Sequence, residues 1–111
     1  MNGDDSGPWF TESPLDGGTI RLAVAGDIDL ATATALRHAL RRPLREPGLT
    51  RLVVDLAEVG FLDAAGVAAL VSGYQEAQAG DVAFQLVNCR PAPLRVLEIV
   101  GLDKLLTSAQ P

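Results

Sequence analysis

Histidine, cysteine and aromatic side chains are scarce in this chain, and each scarcity removes a class of function. A single cysteine, Cys89, rules out an internal disulfide framework and suits a reducing compartment. Leu86 and Val87 lie just upstream and no histidine is near, so Cys89 reads as a buried structural residue rather than a reactive thiol. The one histidine, His38, stands among arginines with no Ser or Cys motif to serve, and no Cys/His cluster has metal-ligand spacing. There is also no glycine-rich phosphate loop followed by lysine. The chain therefore reads as a non-enzyme without a cofactor. Aromatics are only 5% of the residues, so the core must come from Val, Leu, Ile and Ala. No rings interleave with the basic residues to stack nucleic-acid bases.

Long apolar runs and basic character are missing too. The most apolar stretch, Val59 to Val71, is broken by Asp63 and is too short to span a bilayer. Met1 to Gly7 lacks the basic-then-apolar order of a signal peptide, which makes the cytoplasm the expected location. Nine Lys and Arg against fourteen Asp and Glu leave a net charge of −5. That balance favours a soluble monomer or weak dimer and opposes binding to a phosphate backbone. Arg37, Arg41, Arg42 and Arg45 form a local basic stretch that reads as a solvated helix face.

What remains is a chain of 111 residues, long enough to bury one core and punctuated as a single domain. Residues 1–8 read as a flexible acidic tail, 9–108 as the folded domain and 109–111 as a C-terminal tail. Trp9 to Thr11 suggests a short edge strand, followed by a turn over Pro14 to Gly18. Thr19 to Ala25 alternates Ile20, Leu22 and Val24 with a strand's period of two. Asp29 then stands where a helix cap belongs, with Leu30, Ala33, Leu36 and Leu44 at helical spacing and Pro43 and Pro47-Gly48 as the stop.

Arg51 to Leu56 has the compact apolar run of a buried parallel strand. A second helix spans about Ala65 to Ala79 and stops at Gly80; Asp81 to Val87 is the next strand. Pro91 opens a third helix lined by Leu94, Leu97 and Val100 and closed by Gly101-Leu102 in a Schellman-type cap. Asp103 to Ser108 reads as a terminal helical turn or strand. Alternating strands and helices after an opening hairpin predict an α/β domain with a mixed, mostly parallel sheet.

In such a sheet the loops after the strands' carboxyl ends share one edge. That places Asp27, Asp29 and Asp63 on one rim. Two readings follow: a metal or phospho-acceptor site, or a pair of helix caps at Asp29 and Asp63 worth about 1 kcal/mol each. The cap reading is preferred, and a capped rim can still be a recognition surface. Thr32 reads as a capping partner, and Ser72 as a solvent-facing or back-bonded helix residue.

Four segments together resemble the STAS domain of anti-sigma factor antagonists. They are Gly26-Asp27-Ile28-Asp29-Leu30, Val54-Asp55-Leu56, Phe61-Leu62-Asp63-Ala64-Ala65-Gly66-Val67, and the ending from Leu97 to Leu106. The resemblance covers about Thr19 to Ser108 and implies a four- to five-stranded sheet with flanking helices. It further implies a protein that binds a serine-kinase-like anti-sigma factor and so frees a sigma factor. In that family the residue matching Ala64 is usually a serine that the kinase phosphorylates. Neither Ala64 nor Ala65 has a hydroxyl, so the resemblance implies a domain without the usual switch, or one serving a role that never needed it.

The expected partner surface is Asp27, Asp29, Leu30, Asp63, Ala64, Ala65, Gly66, Ala68 and Ala69, where small side chains let a partner approach the backbone. Tight packing of the helix on its own sheet is the competing explanation of those small residues. Val67, Leu70 and Val71 would then face inward while Ala65, Ala68 and Ala69 stay partly exposed. STAS domains without the serine also serve as accessory subunits of membrane transporters of the ABC lipid type, which is the alternative function. A phospho-acceptor receiver domain is a third reading, but Ile28 splits Asp27 from Asp29, and the chain has too few strand–helix units.

Overall fold

Leu22 and Val24 of one strand, Leu52, Val54 and Leu56 of the next, and Phe84 and Leu86 of a third are all buried, while their neighbours along each strand are not uniformly so. This alternation fixes which face of the sheet forms the core. The computed structural model describes residues 9–105, so the terminal tails and the part of the expected last segment beyond Leu105 lie outside the described residues.

The elements are β1 (Trp9–Leu15), β2 (Thr19–Ala25), α1 (Ala33–Leu44), β3 (Arg51–Glu58), α2 (Ala64–Ala79), β4 (Ala83–Val87) and α3 (Pro91–Ile99), with a short 3₁₀ turn over Asp103–Leu105. Among the described residues the sheet has four strands in the order β1-β2-β3-β4. β1 runs antiparallel to β2, while β2, β3 and β4 are mutually parallel. The expected mixed, mostly parallel sheet is what forms.

β1 is longer than its sequence suggested. It continues through Pro14 to Leu15 because an edge strand has a free side on which a missing N–H costs nothing. The turn into β2 needs Gly18: its φ is +77°, and a Cβ there would stand 2.7 Å from the Gly48 carbonyl oxygen.

Two right-handed crossovers in the same direction across the sheet put α1 and α2 on one face. There Gly73 of α2 lets Leu40 of α1 and Phe84 of β4 close in, and Tyr74 meets Phe84 edge-on with ring centroids 6.0 Å apart. Leu36 and Leu40 from α1, Val67, Ala69 and Leu70 from α2 and Leu97 from α3 complete one contiguous core.

Three local expectations need correction. Leu30 is 81% exposed because α1 begins three residues later, so it belongs to a turn and not to the helix's apolar stripe. Pro43 lies inside the last turn of α1 and does not stop it: the helix continues to Leu44. Val100 is exposed, and α3 is held instead by buried Pro93 and Leu97. At the end of α2 the left-handed residue is Asp81 (φ 62°), with Val82 N–H donating to the Ala77 carbonyl at 2.8 Å. α2 thus stops at Gly80 as expected, with the left-handed residue one position beyond it. α3 ends as expected, with Gly101 left-handed and Leu102 N–H donating to the Leu97 carbonyl at 2.8 Å.

Among the described residues, the opposite face of the sheet carries one buried charge. Asp55, 5% exposed, accepts hydrogen bonds from the Arg21 guanidinium, from Asn88 Nδ2 at 3.2 Å and from the Ala57 N–H at 2.9 Å. Burial opposes its ionisation and is the largest single influence, yet the three hydrogen bonds and the Arg21 charge together outweigh it and hold the carboxyl below the usual aspartate range. A group with a depressed folded pKa stabilises above its unfolded value and loses that contribution as pH falls through the folded value. Acid titration of stability followed by urea denaturation should therefore show a loss beginning near pH 4 and continuing below it, absent in Asp55→Asn. Arg21→Ala, which leaves the carboxylate half-satisfied, should cost about 1–2 kcal/mol at neutral pH in the same measurement.

Candidate partner-binding rim

The rim forms where the chain leaves β2 and β3. Beyond the strands, Ile28 and Leu62 make an isolated parallel bridge. Ile28 N–H donates to the Phe61 carbonyl at 2.9 Å, and Asp63 N–H donates to the Ile28 carbonyl at 3.2 Å. Both Ile28 and Leu62 are buried, so the two turns are clasped by backbone hydrogen bonds over an apolar floor.

Asp63 caps α2 as expected: its Oδ1 accepts the N–H groups of Ala65 at 2.9 Å and Gly66 at 3.1 Å. Contrary to expectation, Asp29 does not cap α1: the helix starts at Ala33 with Thr32 at its N-cap position. Asp29 Oδ1 accepts from Ala31 at 3.0 Å and Thr32 at 3.2 Å within the preceding turn, which delays the helix. Thr32 locks this turn, its hydroxyl donating to the Asp27 carbonyl at 3.0 Å and accepting the Asp29 N–H at 2.9 Å. Asp29 and Asp63 thus spend Oδ1 on backbone, whereas Asp27 is exposed. Asp27 and Arg90 flank Gly60, where a Cβ would lie 3.7 Å from Asp27 Oδ1 and 3.8 Å from Arg90 Nη1. Among the described residues no three His, Cys, Asp or Glu side chains gather to hold a metal. Asp55, the acid a receiver-like site would need, is turned to the outer sheet face and tied to Arg21.

The small residues divide. Ala64, the first residue of α2, and Ala68 are exposed, and Ala65 is half-buried against the core. Ala69 is fully buried, a correction to its expected exposure, because it lies on the α2 face that packs inward beside Leu70. Gly66 is buried as well; a Cβ there would meet Leu62 Cδ1 at 2.5 Å and Ile28 Cγ2 at 2.8 Å. Its smallness serves the seating of α2 on the clasp. Phe61, 48% exposed, stands beside the clasp with Leu30 on the facing turn. Phe61 and Arg90 were not singled out as site residues from sequence, since nothing in the pattern marks an aromatic or an arginine in a loop as surface-directed. Cys89 is half-buried, and burial pushes its thiol up, which makes it a poor nucleophile at neutral pH.

Comparison with known proteins agrees with this architecture. The family described as "Mlab, STAS domain" matches residues 12–107. The anti-sigma-F factor antagonist RsfB of Mycobacterium tuberculosis is 34% identical over 87 residues, covering 78% of this chain and 70% of that protein. The crystal structure of an anti-sigma factor antagonist from Mycobacterium paratuberculosis is 28% identical, covers 95% of this chain and 87% of its own, and superposes with a TM-score of 0.79. The anti-sigma factor antagonist SpoIIAA in its unphosphorylated form, 18% identical over 89% of this chain and 86% of its own, shares the fold with a TM-score of 0.76. The fold is that of a STAS domain. The chain belongs to the STAS family, and within it to the anti-sigma factor antagonists.

Asp63→Ala should lower stability by about 1 kcal/mol through the lost cap. Gly66→Ala should lower it too, because overpacking of about 1–3 kcal/mol exceeds the roughly 1 kcal/mol that alanine gains over glycine in a helix. Thermal denaturation of the two variants checks both; a stabilised Gly66→Ala would show that the clasp has slack.

Proposed function

We propose that the chain acts as an anti-sigma factor antagonist: its rim docks a serine-kinase-like anti-sigma factor, sequesters it and frees a sigma factor, without a phosphorylation switch at Ala64. The observation that carries this reading is the exposure of Leu30, Phe61 and Ala64 on segments that one backbone clasp joins. Large apolar side chains left exposed on joined turns suit a docking partner. Asp27 at the edge supplies charge, Asp29 and Asp63 keep the turns rigid, and the exposed Ala64 and Ala68 allow close approach of a partner backbone.

A phosphoserine in the place of Ala64 would add a charge of about −2 beside Asp27 and Asp63. The helix N-terminus tolerates such a group locally, but the docking face would change sign of preference. With alanine there, the face keeps its neutral form whatever the kinase does. The mutational consequence is direct. Ala64→Glu should weaken binding of the anti-sigma factor by about tenfold, roughly 1.4 kcal/mol, in a calorimetric titration. Ala64→Ser should become a substrate for the partner's kinase activity and lose affinity once phosphorylated. Affinity capture from cytosol and solubilised membranes identifies the partner: a small kinase-like protein fits this reading, and a transporter ATPase or permease replaces it with the accessory-subunit role.

A further inference from the structure

α1 carries a second surface that the rim does not use. Arg37, Arg41, Arg42 and Arg45 are four of the nine Lys and Arg of a chain with net charge −5, and all four are exposed. Between α1 and β1 runs an open groove of about 420 Å³, its apolar wall made by Phe10, Leu22, Ala35 and Ala39 and its edge by Glu12 and Arg42. Continuous with it through His38 and Arg42 is a cleft of about 310 Å³ whose remaining lining is Arg41 and Arg45. Arg41, Arg42 and Arg45 lie at the end of α1, roughly 15 Å along the helix from Thr32 and the rim.

The ion pairs here are loose. Arg42 Nε lies 3.8 Å from Glu12 Oε2 with the arginine side chain 83% exposed, and Arg41 Nε lies 3.5 Å from Glu76 Oε2 with both side chains about half exposed. Pairs of this kind contribute little and are readily exchanged. Arg37 and Arg45 make no ion pair among the described residues. Favourable placement at a helix C-terminus accounts for one or two cations, but not for a cationic cleft continuous with an apolar groove.

We infer that this groove and cleft form a docking site for an acidic peptide segment bearing apolar side chains, the carboxylates meeting the α1 arginines and an apolar side chain entering between Phe10 and Ala39. Charge complementarity selects the acidic partner, since the site is a concentrated positive patch on an otherwise acidic protein. Concavity selects a peptide over a membrane: the apolar atoms line a groove instead of projecting, as insertion into lipid requires. Phe10 is half-buried in the groove wall and cannot stack a base, and the net charge repels a polyphosphate chain.

The test is a titration of the isotope-labelled full-length chain with acetyl-Glu-Asp-Leu-Glu-Glu-Leu-Asp-Glu-amide, read by amide chemical shifts. Shifts confined to residues 10–12 and 35–45 are expected, with affinity reduced about tenfold both in the Arg42→Glu/Arg45→Glu variant and for the peptide with serine in place of leucine. Those arginines are exposed, so the variant should keep the unperturbed spectrum elsewhere, and the serine peptide tests the groove without any variant. Equal binding of the serine peptide would reduce the site to unspecific charge attraction and overturn the inference. So would shifts elsewhere, no shifts at millimolar peptide, or concentration-dependent shifts without peptide that reveal a second copy in the groove. Binding of phosphatidylglycerol vesicles or a single-stranded oligonucleotide through the same arginines, with none of the peptide, would assign the patch to a membrane or to nucleic acid instead.

Discussion

Two backbone hydrogen bonds between Ile28 and the segment Phe61–Asp63 tie together turns that the sheet itself has already released. β2 and β3 stop pairing in register after Ala23, where a bulge shifts Ala25 opposite Glu58, and the chain would be free to splay at that point. The clasp prevents this. It sets Asp29 and Asp63 at the starts of their turns, fixes where α1 and α2 begin, and leaves room for α2 only because Gly66 has no side chain to meet Ile28 and Leu62. The exposed residues of the rim are therefore held by buried ones.

On the proposed reading, an interface built on hydrogen-bonded turns would lose little conformational freedom on docking, so apolar contact at Leu30 and Phe61 would not be consumed in ordering the loop. Ala64 itself is the first residue of α2, directly after the Asp63 cap, so its position is set by the same clasp. Of the rim acids, Asp63 caps a helix, Asp29 holds the turn before α1, and Asp27 is exposed.

Much of this was legible in the sequence. The period of two in β2 and the apolar run of β3 marked their buried faces, and Asp63, Pro91 and Gly101 announced helix ends that the backbone adopts as expected. What failed to show were features decided by neighbours distant in sequence. The length of β1 depends on β2 lying alongside it, and Leu30 looked like the first residue of an apolar stripe until the Asp29–Thr32 turn delayed the helix. Ala69 and Ala68 are equivalent in composition, and only the rotation of α2 on the sheet buries one and exposes the other. The Arg21–Asp55–Asn88 network joins β2, β3 and the residue just after β4, and needed the register of all three strands.

The most direct test of the account is hydrogen–deuterium exchange of the chain alone and bound to its purified anti-sigma factor. Added protection should fall on residues 27–32 and 60–68, the two clasped turns and the first turns of α2, with the outer sheet face around Arg21 and Asp55 unchanged. Protection concentrated at the opposite end of the sheet, around Gly18 and Gly48, with the clasped turns unaltered, would contradict the placement of the partner on this rim.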